Sequence, residues 1–321
     1  MPERVLRLLL KGGSFLSGER ISSELGITRA AVWKKIAALR EKGFVIEARP
    51  SRGYRLIQSP DLSGEEIMAG VRGALWKKVL CYSTLDSTNE AGTALCQGSG
   101  PLSGTVIISD TQTRGRGRLG RKWFSPPGLN IYMSIVLVPE IPPRDAPLLT
   151  ILSSVACATA IRKQCGSDVA IKWPNDLMIG GKKIGGILTE IRSDPDRVAW
   201  AVIGIGINVN MDSGHLRGDL RKIATSIKAE SGAYHARSGL IIAILREFER
   251  FYGILIDKGG APLAEKWREL SCTLGKHVSV SAGPRPFSGL AENIDDEGLL
   301  LLRLPTGELK RIGAGDLTVL R

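Results

Sequence analysis

Histidine is almost missing from this 321-residue chain, and the three present, His215, His235 and His277, fall in no metal-ligand spacing. No resident metal site is therefore expected. Cysteine is sparse as well. Five are scattered at positions 81, 96, 157, 165 and 272, never as C-x-x-C, which argues against a disulfide framework and for reduced thiols in a cytoplasmic protein. No apolar run approaches the roughly 18 to 20 residues that span a bilayer, so no membrane partner is expected. The opening MPERVLRLLLKGG has a short apolar part and no small-residue cleavage site after it, so no signal peptide is expected. A Walker A pattern is lacking too.

What is present is bulk and basic charge. The length predicts two or three domains, and 43% hydrophobic residues suffice for packed cores. Net charge is +12, and the first 62 residues carry twelve basic against six acidic side chains. Half of the excess thus sits in a fifth of the chain, a distribution that hints at nucleic acid. In that segment VLRLLLKGG reads as a short helix. Ser17 caps a second helix that Gly26 ends, and Thr28 caps a third that runs to Gly43. Val32, Ile36 and Leu39 form the inward stripe of the third helix. FVIEARPSRGYRLI follows as a basic β-hairpin about Pro50–Gly53. Two helices around a tight turn followed by such a hairpin make a winged helix-turn-helix. Thr28, Arg29, Trp33 and Lys34 on the third helix, and Arg49 and Arg52 on the wing, are the candidate DNA contacts. A protein-contact role for the same module stays open. IQSPDLSGEE, residues 57–66, is the expected linker.

Further along, GTVIISD (104–110), NIYMSIVLV (130–138), VAIKW (169–173) and AWAVIGIGINVN (199–210) read as strands. Residues 147–165, 239–257 and 261–270 read as helices, and DLMIGGKKIGGILTEIR as a hairpin about Gly180-Gly181. Hairpin-linked strands with helices predict a mixed, largely antiparallel α+β domain. Gly115, Gly117 and Gly120 spell G-x-G-x-x-G. A dinucleotide turn needs a helix straight afterwards, and RKWFSPPGLN cannot supply one. What remains is a flexible loop of glycine amides interleaved with Arg114, Arg116, Arg118, Arg121 and Lys122. Such a loop suits a polyphosphate or acyl phosphate, or nonspecific nucleic-acid contact. Asp176 follows a Pro-Asn turn. Lys182 and Lys183 lie on opposite sides of a strand, so only one can enter a pocket. Gly185-Gly186, Gly204 and Gly206 allow close backbone approach, or mark bulges.

S-T-N at 87–89, Gln112, GRGRLGRKWFSPPG at 115–128, KWPNDL at 172–177, K-x-G-G-I-L at 183–188 and G-x-G-I-N at 204–208 occur in one order. With the winged helix in front, the chain resembles the bifunctional biotin–protein ligases that also repress the biotin operon. The likeness covers nearly the whole chain. It departs at Arg114, where relatives commonly carry a small residue, and at Leu119, where some carry another Arg.

The resemblance implies a winged helix-turn-helix over 1–62, a class II synthetase-like catalytic domain over 63–270 and an SH3-like barrel over 271–321. It implies activation of biotin with MgATP to biotinyl-5′-AMP, then transfer to one lysine of a biotin carboxyl carrier protein, an acetyl-CoA carboxylase subunit. Substrates are biotin and ATP, with Mg²⁺ carried on the phosphates. Lys183 would meet the biotin carboxylate and α-phosphate, and Asp176 would help deprotonate the acceptor lysine. Arg116, Arg118 and the amides of Gly115 and Gly117 would close over the adenylate, Arg118 being most important for retaining it. Arg121 would meet the pyrophosphate end. Ser87, Thr88, Asn89 and Gln112 would bind biotin, Trp123 would wall the pocket, and Gly186, Gly204 and Gly206 would line it. Asn208 would neighbour the nucleotide. Adenylate binding would drive a homodimer that represses operator DNA of biotin genes. A ligase whose winged helix no longer binds DNA, a lipoate or octanoate ligase, and a non-enzymatic regulator are the alternatives.

Overall fold

In a computed structural model, residues 2–71, 73–98, 103–216, 218–281 and 286–320 are described. The N-terminal part is three helices and a hairpin: α1 (Pro2–Gly12), α2 (Gly18–Leu25), α3 (Arg29–Glu41), β1 (Val45–Arg49) and β2 (Gly53–Gln58). The local rules that predict it are at work. Ser17 accepts from Arg20 N–H, Thr28 accepts from Ala31 N–H, and Gly26 ends α2 at φ 63°. Val32, Ile36 and Leu39 are buried against Val5, Leu6, Leu9 and Ile21, leaving Trp33 60% exposed on the opposite face.

The segment expected to be a linker is not slack. It leads into α4 (Gly64–Gly70), whose Ala69 joins the core of the winged helix, and Asp61 within it is held by Arg237.

A seven-stranded sheet follows, with β3 (Lys78–Leu85), β4 (Thr105–Gln112), β5 (Ile131–Leu137), β6 (Ala170–Lys172), β7 (Asp176–Ile179), β8 (Lys182–Ser193) and β9 (Val198–Ile207) in the order β3-β4-β5-β9-β8-β7-β6. Only β3 and β4 are parallel, as the hairpin-linked pattern predicts. Helix α5 (Thr88–Gln97) covers one face of the sheet. Helices α6 (Pro147–Cys165), α9 (Arg237–Lys258) and α10 (Ala261–Leu270) lie on the other. Two short helices, α7 (Leu220–Ile223) and α8 (Ile227–Ser231), sit between β9 and α9.

Among the described residues, the stretch Pro143–Cys165 is by length and composition apolar enough to cross a membrane, and 78% of its most apolar 18-residue window is buried in the protein. Its Ser, Thr and Ala residues break up any continuous apolar run in the sequence. They also let it pack closely between the sheet and α9.

Strands β10 (His277–Ser281), β11 (Phe287–Ile294), β12 (Leu300–Arg303), β13 (Leu309–Ile312) and β14 (Asp316–Val319) form a second sheet, in the order β13-β12-β11-β10-β14. Val278, Val280, Ala291 and Leu300 join the same apolar cluster as the central sheet. The end of β11 docks α10: Arg268 donates to Asn293 Oδ1 at 2.7 Å and to the Ile294 carbonyl at 3.0 Å. The five cysteines carry no disulfide.

Candidate active site

On the sheet face that carries α5, three glycines leave a hollow. Gly186 and Gly206 are cross-strand partners, and Gly204 is paired with Leu188. Gly204 and Gly206 are glycine for a steric reason. A Cβ on Gly206 would lie 2.8 Å from the Trp123 indole, and one on Gly204 would lie 2.2 Å from Asn89 Oδ1. On Gly186 it would crowd the Lys183 ammonium at 3.3 Å. The glycines therefore clear space for side chains arriving from elsewhere in the chain; no register shift falls at Gly204 or Gly206, whereas one falls beside Gly185.

Lys183 and Asp176 meet at this hollow. Their strands are antiparallel neighbours, and a register shift between Leu177 and Met178 precedes the Met178–Lys183 pair. The Lys183 ammonium lies 2.5 Å from Asp176 Oδ1 and 5.5 Å from the centroid of the Trp123 ring. Side-chain exposure is 33% for Lys183 and 23% for Asp176, so the pair is shielded yet reachable. Lys182 is exposed and points away, as strand alternation requires. The Trp123 indole N–H is buried without an acceptor among the described residues. A native orphan donor of this kind, beside a glycine-cleared hollow, suits a ligand acceptor.

The S-T-N motif opens α5. Ser87, Thr88 and Asn89 are all under 5% exposed. Gln112 Oε1 accepts from the Thr88 backbone N–H at 2.8 Å, so it caps the helix from β4 and leaves the Ser87 hydroxyl uncommitted to capping. The Thr88 hydroxyl also reaches Gln112, at 3.2 Å, and Gln112 Nε2 donates to Ser125 Oγ at 3.1 Å. The Ser134 hydroxyl lies 2.8 Å from Thr88 Oγ1 and 2.7 Å from Asn89 Oδ1. Asn89 itself crosses to β8, donating to the Leu188 carbonyl and to Glu190. Sequence reasoning missed Ser134 and Glu190, which lie in unremarkable strand patterns.

The arginine–glycine segment folds as a small hairpin rather than the flexible loop expected. Trp123 N–H donates to the Gly115 carbonyl at 2.8 Å, and Gly117 N–H to the Arg121 carbonyl at 2.7 Å. The Gly117 amide is thus engaged inside the hairpin instead of open to a ligand. At the tip Leu119 has φ 54° and is 75% exposed. Each arginine has an acidic or carbonyl partner. Arg114, the departure from the family pattern, pairs with Asp86. Arg116 bridges Glu90 and Glu190, both at 3.1 Å. Arg121 pairs with Asp316 of the C-terminal sheet. Arg118 reaches the residue just before Asp176. It donates to Asn175 Oδ1 at 3.1 Å and to the Gly315 carbonyl at 3.3 Å, lining a groove with Trp173, Ile187 and Thr189. Asn208, 5% exposed, donates to the Thr225 carbonyl at 2.9 Å and fixes the turn after β9.

That turn brings α7 to the site, which the sequence did not signal. Ala224 bridges Lys183, and Leu220 and Ile223 stand 45% and 62% exposed beside it.

Arg237 was missed as well. Its side chain, 5% exposed, pairs with Asp61 at 2.5 Å and Asp110 at 2.7 Å, and donates to the Asn130 carbonyl at 3.1 Å. Asp110 also accepts from Gly128 N–H at 3.1 Å. One buried guanidinium thereby joins the linker to the strand and loop that carry the motif. Tyr234 donates to Asp61 at 2.7 Å, and burial together with that carboxylate pushes its phenol up to about 12.

A glycine-floored hollow on a mixed sheet, holding a lysine–carboxylate pair under an indole and preceded by a winged helix, defines a DNA-module-bearing ligase of activated acyl groups. The comparisons make the family specific: the chain belongs to the biotin–protein ligases. Residues 80–208 match the biotin/lipoate A/B protein ligase family, 3–55 an HTH domain and 273–317 the biotin protein ligase C-terminal domain. A "Bifunctional ligase/repressor BirA" from Bacillus spizizenii is 41% identical over 95% of this chain and 94% of its own length. A "Biotin--[acetyl-CoA-carboxylase] ligase" from Paracoccus denitrificans is 32% identical over 69% of this chain and 92% of its own length. Among solved structures, the biotin protein ligase of Aquifex aeolicus in complex with biotin and ATP aligns at TM-score 0.65 and 25% identity, covering 77% of this chain and all of that one.

Proposed function

We propose that this chain activates biotin with ATP, transfers it to a lysine of a biotin carboxyl carrier protein, and represses biotin genes through its winged helix when the adenylate is bound. The observation that carries the ligase reading is the Lys183–Asp176 pair, 2.5 Å apart at the glycine hollow beside the orphan Trp123 N–H.

In the first half-reaction a biotin carboxylate oxygen attacks the α-phosphorus of ATP, and the bond to the β-phosphate breaks to release pyrophosphate. The carboxylate is already ionised near pH 7, so this step needs positioning and charge neutralisation rather than a base. Lys183 suits the biotin carboxylate and the charge growing on the α-phosphate oxygens. In the second, the acceptor amine attacks the acyl carbonyl, the bond to AMP breaks and the amine loses a proton. The anionic substrate draws Lys183 away from Asp176, which frees that carboxylate to receive the amine. Ser87, Thr88 and Gln112 suit polar groups of biotin, and exposed Leu220 and Ile223 suit an apolar cover. Arg116, Arg118 and Arg121 reach the adenylate by exchanging their present partners for phosphate oxygens.

Among the described residues no group of three or more His, Cys, Asp or Glu could hold a metal ion. Mg²⁺ would arrive on the ATP phosphates, its usual ligands, where it would supply charge neutralisation.

The chain divides on this reading into 1–62, 63–270 and 271–321, acts in the cytoplasm and dimerises when the adenylate binds. Support for a dimer is the open edge of β8: its pairing with β7 ends at Gly186, and, among the described residues, 188–193 have a strand on one side only. Thr28, Arg29, Trp33 and Lys34 are all exposed on or just before α3, as base or phosphate contacts require.

The test is ATP–pyrophosphate exchange on the purified chain with biotin, lipoate and octanoate in parallel, followed by transfer to a carrier protein. Exchange with biotin alone is expected. Exchange only with lipoate or octanoate would move the chain to the other ligase class, and none with any acid would overturn the enzyme reading.

A further inference from the structure

Three arginines of the wing converge on one phenylalanine outside it. The guanidinium carbons of Arg49, Arg52 and Arg55 lie over the Phe15 ring, at 5.0, 4.8 and 4.8 Å from its centroid. Phe15 belongs to the turn between α1 and α2, and the backbone explains how it gets there. Leu16 pairs with Tyr54 as a one-residue third strand: its N–H donates to the Tyr54 carbonyl at 2.9 Å and Tyr54 N–H donates back at 2.8 Å. Gly53 permits this approach. Its φ is +98°, and a Cβ there would sit 2.0 Å from the Leu16 carbonyl oxygen.

The electrostatics of the cluster are uneven. Glu47 and Arg49 share a face of β1, and Arg55 stands opposite Glu47 on β2. Glu47 pairs with both, at 2.6 Å to Arg49 and 2.7 Å to Arg55. Arg52, at the exposed turn, has no ion pair among the described residues. Arg55 Nε is buried without a hydrogen-bond partner, which an aromatic face nearby offsets in part. Three cations around one point repel one another, and free arginines at a hairpin tip would splay into water. One carboxylate cannot hold all three, and the negative face of the ring supplies the remaining attraction.

We propose that Phe15 is a positioning residue for DNA binding: it holds Arg49, Arg52 and Arg55 as a preformed fan for the phosphates that flank the recognition helix. Rotamer entropy of three long side chains is then lost on folding rather than on binding. Arg55 thereby joins the wing contacts. The inference rests on the DNA-binding reading of the winged helix.

The experiment uses the full-length chain with biotin and ATP, first to select a duplex from a random-sequence library and then to measure affinity for it across a salt series. Phe15→Leu, which keeps an apolar side chain but removes the ring, is expected to weaken binding roughly fivefold. Phe15→Tyr is expected to bind as the wild type does. The effect of Phe15→Leu is expected to vanish in a chain whose three wing arginines are all alanine. Biotin-dependent pyrophosphate exchange of Phe15→Leu should match the wild type, while its thermal midpoint falls slightly as the ring's attraction for the arginines is lost from the folded chain. Equal affinity for wild type and Phe15→Leu, or equal losses for Leu and Tyr, overturns the proposal. So does a loss that persists without the arginines. A wild-type chain that enriches no duplex overturns the DNA reading, and the role of Phe15 with it.

Discussion

Lys183 at the hollow and the wing arginines are set out of the same parts, a cation over an aromatic ring with a carboxylate beside it, yet the two regions balance those parts differently. At the hollow there is one lysine for one carboxylate, both on sheet strands and both at least two-thirds buried, under an indole that glycine makes room for. On the wing three arginines share one glutamate and one phenyl ring, and Arg49 and Arg55 remain 49% and 36% exposed. Matched charge in a shielded hollow is worth most to a single small anion, because the local dielectric is low. Surplus charge in water suits a polyanion, whose counterions it displaces. The ratio of charges and their burial, rather than the kinds of residue, separate the two sites.

The sharpest way to break this comparison is Lys183→Ala beside Lys182→Ala. The first is expected to lower biotin-dependent pyrophosphate exchange by about 10³-fold and the second to leave it intact. The reverse result would mean that the strand presents its other side to the ligand. Asp176→Asn should come next. Its amide keeps a hydrogen bond but takes no proton, so transfer to the carrier should fall about 10²-fold while exchange falls much less. Equal losses in both half-reactions would assign Asp176 to holding Lys183.

Arg237→Met probes the tie between the two regions. Leaving Asp61 and Asp110 without their cation should cost about 3 kcal/mol, read as a lower midpoint in thermal unfolding. An unchanged midpoint would show that both carboxylates turn to water. The smallest effect is expected from Arg52→Ala. It should weaken DNA binding modestly and reduce the slope of log affinity against log salt by about one. A slope that does not change would remove Arg52 from the phosphate contacts.

Much of the fold was legible because its signals are local. Ser17, Gly26 and Thr28 mark helix ends through hydrogen bonds a few residues long, and α6 and α10 fall where the periodicity put them. Gly180-Gly181 turn with positive φ as a two-residue hairpin requires. The hollow was legible in part, since a glycine inside an apolar strand weakens it and so marks a bulge or a close approach. Less so were Arg118 and Asn208, whose partners are Asn175, Gly315 and Thr225. Arg237 and Ser134 were missed because nothing near them in sequence announces what they touch. The anchoring of the linker was missed for the same reason: Pro, Ser and Gly look loose until Asp61 is seen against Arg237, 176 residues away.

The sequence by itself determined the caps, turns and strand alternation, and through its ordered motifs the family. Each depends on neighbours within one turn or on the period of a strand. Only the tertiary structure decided which lysine meets which carboxylate, what each arginine of the hairpin holds, and that Phe15 lies under the wing. Those depend on register between distant strands, and there a shift of one residue would turn every side chain to the other face.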